Sequence, residues 1–462
     1  MRANGHNLFI RLIKYNLKNL LRTDVKMHKT FTSRWAFIIA CVGSAVGMAN
    51  VWGFPYKVGS NGGGAFLLIY VLFIAIFSYV GLSAEYAIGR RAKTGTLGSY
   101  EYAWKSRNWG TFGKILGWIP LAGSMCIATG YAVIIAYVLK ALFQAITGSL
   151  MSVDTNTWFD SFAFSSYSVV PFHFIVVAGT LFTLFFGAHS IEKTGKIMMP
   201  LFFILFFILA IRVVFLDGAF GGYKFIFHSD WGKLADPMVW VSAMGQAFFS
   251  LSITGSGMIV YGAYLHKDED IVDSAQKTAI FDTIAAMTAA LVMLPAVFAY
   301  GMDPAAGPGL LFVTLPKILQ DMVGGQIFAI ILFTAVIFGG ITSLQNMFEV
   351  VAESIMHKFP KLKRGVVLIL LCAVCFGIGV NMEAITSWGP WMDFVSIYII
   401  PIGAVIGAVS WFWVIKKEEI MDEINTGAAK KQGALWYFAG RYIYVPMALT
   451  LCIIALSMHI SF

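Results

Sequence analysis

Long apolar blocks separated by short polar ones dominate this chain. A helix crosses a bilayer in about 20 residues. On that measure the blocks near 34–59, 64–89, 111–145, 167–187, 191–216, 237–265, 274–301, 323–356, 365–382, 391–415 and 436–460 predict about eleven spans. Two spans are interrupted at membrane depth. The first contains CVGSAVGMANVWGFP, Cys41 to Pro55, in which Gly43, Ser44 and Gly47 precede a lone amide, Asn50. The sixth contains SLSITGSGMIVYG, Ser250 to Gly262, rich in Gly, Ser and Thr.

A freed carbonyl in hydrocarbon costs several kcal/mol, so a helix is broken at that depth only where it lines a cavity. There the loose carbonyls and helix ends can hold ions and charged groups. Taken alone, the first break also fits a kinked helix packed through small residues. Two breaks at corresponding positions five spans apart point instead to an inverted-repeat transporter with a midplane site. The breaks open two five-helix halves, 34–216 and 237–416. An eleventh helix at 436–462 follows them, and a basic segment at 1–33 precedes them.

Composition agrees with a membrane protein: of 462 residues 58% are hydrophobic and 12% charged. The net charge of +9 looks like a nucleic-acid signal until the basic residues are placed. They gather in the N-terminus, in 90–114, in 358–364 and in 416–441. By the positive-inside rule the N-terminus is cytoplasmic and the C-terminus outside, so the charge reports topology and no nucleic-acid partner is expected. Residues 1–33 (Arg11, Lys14, Lys18 and Arg22 among Leu and Ile) fit a segment lying on an anionic lipid surface, and equally a true start at Met27. The five cysteines all fall in apolar runs, which argues against a disulfide framework or a zinc site.

The stretch SRWAFIIACVGSAVGMANVWGFPYKVGSNGGGAFLLIY, Ser33 to Tyr70, resembles the first two helices of the neurotransmitter:sodium symporters. GQAFFSLS (Gly245–Ser252), FGGITSLQN (Phe338–Asn346) and the span around Trp391–Phe394 continue the likeness over nearly the whole chain from about residue 31. The resemblance implies an all-α polytopic membrane protein of LeuT-like fold, a 5+5 inverted repeat with helices 1 and 6 broken. It also implies sodium-coupled transport in a bacterial inner membrane, not enzymatic activity.

Sodium is a hard cation that takes oxygen ligands. The resemblance places one ion at the Ala45 carbonyl, Asn50, Ser250 and Asp282. It places a second at the carbonyls of Gly43, Val46 and Gly339 and the hydroxyls of Thr342 and Ser343. Asp282 also stands out on its own, because a carboxylate within a span is costly and a cation is its obvious partner. In animal members the matching position is usually Asn, beside a bound chloride. Tyr70, Gln246, Ser250 and Asp282 match that pocket, and a fixed carboxylate there would make chloride redundant.

Gly47 stands where amine-transporting members carry an Asp, so the expected substrate is an amino acid, which brings its own carboxylate. That group would meet the amides of Met48 and Ala49 and the Tyr131 hydroxyl, while carbonyls near Phe249 and Ser252 would take the ammonium. The resemblance puts Ala45, Gly47, Ile127, Tyr131, Phe249, Ser252, Gly255, Ser343 and Met347 around the substrate. Gly255 replaces a bulky residue common in the family, which suggests room for a large apolar or aromatic side chain.

The gates depart from the family. Asp393 matches the outer acid, but Gly53 stands where the Arg belongs, leaving Lys57 one turn above as the substitute. At the inner gate Phe31 stands for Trp, His28 for Arg, and His357 occupies the position of the acid, so closure there would rest on aromatic packing. Glu85 and Glu349, also within spans, are expected to bond helix to helix. The altered gates keep one alternative open: an amino-acid-binding sensor or uncoupled carrier of the same fold.

Overall fold

The computed structural model describes residues 30–228, 230–305 and 310–460. Met27, His28 and the rest of 1–29 lie outside the described residues. Among those described, every regular element is helical. The chain opens with α1 (Arg34–Ala45) and α2 (Ala49–Ser60), which meet at 60° and together are long and apolar enough for one span. Next come α3 (Gly64–Ala92), α4 (Gly110–Ile146), α5 (Val170–Thr183) and α6 (Ala188–Val214). A second interrupted pair follows, α7 (Pro237–Ser250) and α8 (Ile259–Ala263). The long helices after it are α9 (Ile271–Ala299), α10 (Gly325–Lys358), α11 (Arg364–Met382), α12 (Ile385–Val414) and α13 (Ala434–Met458), with shorter helices in the connections.

Eight of these helices are each long and apolar enough to cross a membrane, and the α1–α2 pair makes nine. The expected eleven is reached only by adding α5, at 14 residues, and the α7–α8 pair. The outer wall is apolar at helical spacing: α6 exposes Ile197, Leu201, Ile204, Ile208 and Ile211. In water such a stripe would be an association site. In lipid it costs nothing.

Inside that wall α1 packs against α6, α9 and α10. Ser33 caps it, accepting from the Ala36 N–H at 3.3 Å. It ends at Val46, whose backbone is extended, and the gap to α2 is closed locally. The Asn50 side chain accepts from the Gly47 N–H at 3.2 Å, and the Met48 N–H donates to Tyr131 Oη on α4 at 2.8 Å. Buried backbone donors must find partners. Here side chains supply them.

The second break follows the same logic. Asp236 caps α7 through the Met238 N–H at 2.9 Å, with Pro237 at the first position, where its missing N–H costs nothing. The chain leaves helical geometry at Ser252 (φ 54°) and Gly255 (φ 77°). Glu85 of α3 reaches across and accepts from the Gly255 N–H at 2.8 Å and the Met258 N–H at 3.0 Å. Tyr100 Oη donates to the Gly255 carbonyl at 2.9 Å. Close approach of α3 and α8 depends on two glycines: a Cβ on Gly89 would run into the Ile259 carbonyl, and one on Gly262 into the Tyr86 backbone.

Glu85 is therefore the fastener of the second break. Glu85→Ala would leave two buried N–H groups unpaired, at about 1–3 kcal/mol each. The expected result is a melting temperature several degrees lower in detergent and loss of sodium-dependent uptake. An unchanged melting curve with intact uptake would show that the carboxylate is dispensable.

Candidate ion and substrate site

The two breaks face one cavity of about 580 Å³, its open mouth included. Ser44, Ala45, Gly47 and Ala49 line it from the first break, and Phe249, Ser252, Thr254 and Gly257 from the second. Ser124, Ile127 and Tyr131 come from α4, Ser343, Asn346 and Met347 from α10, and Ile400 from α12. Ala45, Gly47, Ala49, Ile127, Tyr131, Phe249, Ser252, Ser343 and Met347 were all expected around a substrate, and the structure brings them together. Met48 lies just behind, with its N–H turned to Tyr131.

Gly255 is a correction. It does not line the cavity: a Cβ there would meet the Gly403 backbone and Tyr100 Oη. Its φ of 77° also suits glycine alone. Its smallness serves packing between the second break and α12, so it gives no reason to expect a large substrate. Thr254 and Gly257 face the cavity instead.

Beside the cavity, Asn50, Ser250 and Asp282 form a closed cluster with no exposed surface. Asn50 Nδ2 donates to Asp282 Oδ1 at 2.7 Å and to the Asp282 carbonyl at 3.2 Å. Ser250 Oγ donates to Asp282 Oδ2 at 2.6 Å. Among the described residues no Lys, Arg or His pairs with this carboxylate. Its neighbours are neutral. An oxygen-rich cluster of this kind, built round one carboxyl group, suits a hard cation.

The second expected group also converges. A Cβ on Gly43 would touch Thr342 Cβ at 3.1 Å, and one on Gly339 would lie 3.4 Å from the Val46 carbonyl. Thr342 Oγ1 lies within hydrogen-bond distance of the Phe338 and Gly339 carbonyls, at 2.9 and 3.0 Å. Its lone pairs stay free for a cation. Ser343, the adjacent residue, turns to Gly47, where a Cβ would lie 3.2 Å from its Oγ. Of the residues matching a chloride pocket, Tyr70 is fully buried, and Gln246 Nε2 donates to the Ala49 carbonyl at 3.2 Å.

At the outer gate the expected substitution fails. Lys57 forms no ion pair with Asp393, which is solvent-exposed. Four residues of helix carry Lys57 about 6 Å beyond Gly53. Gly53 itself sits by Gln246, whose Oε1 a Cβ would approach at 3.9 Å.

At the other end Phe31 is buried among aromatic rings, 5.7 Å from Phe37 and Tyr261 and 6.0 Å from Tyr264. Its N–H donates to the Tyr264 carbonyl at 3.1 Å. Tyr264 Oη donates to Glu349 at 2.6 Å, and Arg364 pairs with the same carboxylate. Sequence reading gave Glu349 a helix-bonding role without naming these partners, and it missed Asn346, Ser44, Ser124 and Ile400. The helical face through Gly339, Thr342 and Ser343 pointed to Asn346, one turn on.

An all-helical membrane protein whose central cavity is walled by two interrupted helices, with a buried unpaired carboxylate beside it, has the build of an ion-coupled carrier. The comparisons agree. The model of the sodium:neurotransmitter symporter family matches residues 28–168 and 169–461. The uncharacterized sodium-dependent transporter YhdH of Bacillus subtilis (strain 168) is 30% identical over 449 residues, covering 94% of this chain and 98% of its own. An uncharacterized sodium-dependent transporter of Haemophilus influenzae is 27% identical over 460 residues, covering 95% and 99%. The crystal structure of MhsT in complex with L-phenylalanine superposes with a TM-score of 0.82 at 32% identity, covering 92% of this chain and 99% of that one. The chain belongs to the sodium:neurotransmitter symporter family and is a sodium-dependent integral membrane transporter, not an enzyme.

Gly47 packs closely in the cavity wall: a Cβ there would collide with Tyr131 Oη. Gly47→Ala is expected to abolish sodium-dependent uptake while the protein still elutes as a folded species from a sizing column. Retained uptake would remove Gly47 from the site.

Proposed function

We propose that this protein is a sodium-coupled symporter that imports an amino acid by alternating access, without chloride. The observation that carries the reading is the Asp282 carboxylate, buried at the double break and held only by the neutral donors Asn50 and Ser250. A cation bound there restores charge balance, and the Ala45 carbonyl would complete its shell. A second ion would sit among Gly43, Val46, Gly339, Thr342 and Ser343. Because Asp282 supplies a fixed negative charge, chloride has no role to fill.

The absence of a side chain at Gly47 favours a substrate with its own carboxylate over a free amine. The Ala49 N–H and the Tyr131 hydroxyl, with the first ion, would receive that carboxylate. The carbonyls around Phe249 and Ser252 would take the ammonium. The bound L-phenylalanine of MhsT supports the same class.

In the proposed cycle the two halves, 34–216 and 237–416, act as inverted repeats in a bacterial inner membrane with the N-terminus cytoplasmic. Two sodium ions with a zwitterion carry two charges, worth about 4.6 kcal/mol at 100 mV, at about 2.3 per charge. That is roughly three decades of accumulation. With no Lys57–Asp393 pair, a sensor or uncoupled carrier is the second reading, and accumulation separates the two.

The test is uptake of labelled amino acids into proteoliposomes under an imposed inward sodium gradient. Accumulation above equilibrium is expected, and binding without accumulation would favour the sensor. Replacing chloride by gluconate should leave the rate unchanged, whereas a severalfold drop would sink chloride independence. Asp282→Asn should lower uptake at least tenfold.

A further inference from the structure

Two polar atoms in the cavity wall have no partner. Asn346 is 3% exposed and its Oδ1 makes no hydrogen bond; Ser44 is 2% exposed and its Oγ makes none. Both residues line the cavity. Three other polar side chains of that wall are engaged. Ser124 Oγ lies 2.6 Å from Ser256 Oγ, Thr254 Oγ1 accepts from the Gly257 N–H at 3.2 Å, and Tyr131 Oη holds the Met48 N–H.

The packing also says where this unpaired pair lies. Gly43 meets Thr342 while Val46 meets Gly339, so α1 and α10 run antiparallel past each other. Ser44 comes before Gly47 on α1, and Asn346 comes after Ser343 on α10. Both therefore lie toward the same end of the cavity, the end near the start of α1. The groups assigned to the substrate's carboxylate, Tyr131 and the Ala49 N–H, are on the other side of Gly47.

A buried amide without a partner is unfavourable unless a ligand completes it. An apolar side chain could fill that end with Leu or Met in the wall just as well. We propose that Asn346, assisted by Ser44, reads the side chain of the transported amino acid and selects one that carries a hydrogen-bond donor, an O–H or N–H, over its apolar counterpart. This rests on the amino-acid reading above and adds the side-chain class. A site built to bond a substrate hydroxyl discriminates strongly against the analogue lacking it, because the wall's own polar group is then stranded. An apolar wall cannot do so.

The test compares initial sodium-driven uptake of labelled L-tyrosine and L-phenylalanine, a pair differing by one hydroxyl, into proteoliposomes of the full chain. The wild-type protein should favour tyrosine at least tenfold in kcat/KM. Asn346→Leu, similar in volume but without polar atoms, should bring the ratio to within about twofold of unity, mainly by raising the KM for tyrosine. Ser44→Ala should lower the ratio by a smaller factor. A wild-type ratio near or below one overturns the inference whether or not the variant folds. So does an unchanged ratio in Asn346→Leu. If no amino acid at all is taken up with sodium, the symporter reading fails instead, which keeps the two failures distinct.

Discussion

The structure turns on one constraint: backbone freed from a helix inside the membrane must be satisfied by something other than water. Both breaks meet it by borrowing from unbroken neighbours. Tyr131 of α4 takes the Met48 N–H, and Glu85 of α3 takes those of Gly255 and Met258. The interrupted segments are thus held by rigid helices rather than left to find their own geometry. The carbonyls and small residues that remain unused face the cavity. Gly47 can lie against Tyr131 only because it has no Cβ.

Buried acids show how differently one chemical group can be used. Glu85 accepts from two backbone N–H groups, and Glu349 pairs with Arg364 and accepts from Tyr264. Glu383 sits with His173 at 3.1 Å and the Val169 N–H at 3.1 Å. Each has a partner suited to a structural role. Glu85 and Asp282 are the two of these four with no cationic or ionisable partner, but Glu85 holds the backbone of the second break, whereas Asp282 meets only the Asn50 amide and the Ser250 hydroxyl. Leaving a carboxylate in that state is expensive in a membrane interior. On the proposed reading the charge that balances it is the transporter's own cargo, which would tie sodium to the two broken helices directly.

Much of this was legible in the residues. Both breaks announced themselves as Gly, Ser and Thr in otherwise apolar runs, and Asp282 as a charge at depth. The short helix α5 was harder, because apolar flanks at 167–187 extend a hydrophobic block past where the helix stops. Arg364 marks that stop: it donates to the Leu184 carbonyl at 2.9 and 2.7 Å. The errors over Gly255 and Lys57 have different causes. Helical phase predicts which residues share a face only while the helix is continuous, and Gly255 lies inside a break. Lys57 shares α2 with Gly53 but stands a full turn further along it. Asn346, on an unbroken helix, kept its phase and lay on the face already marked by Thr342 and Ser343.

The gates show where coupling must originate. With Asp393 exposed and Gly53 without a side chain, no ion pair spans the outer mouth among the described residues. Closure there gains nothing from charge attraction between α2 and α12. The opposite end is sealed by the Phe31, Tyr261 and Tyr264 rings, and Tyr264 is tied to Glu349, which Arg364 also holds. A ligand shifts a conformational equilibrium only by its differential affinity for the two states. Since no ion pair at that mouth contributes among the described residues, the cavity is where that difference can arise. On the proposed reading, sodium at Asp282 and the substrate across the two breaks draw α1 and α7 together, and the mouth follows.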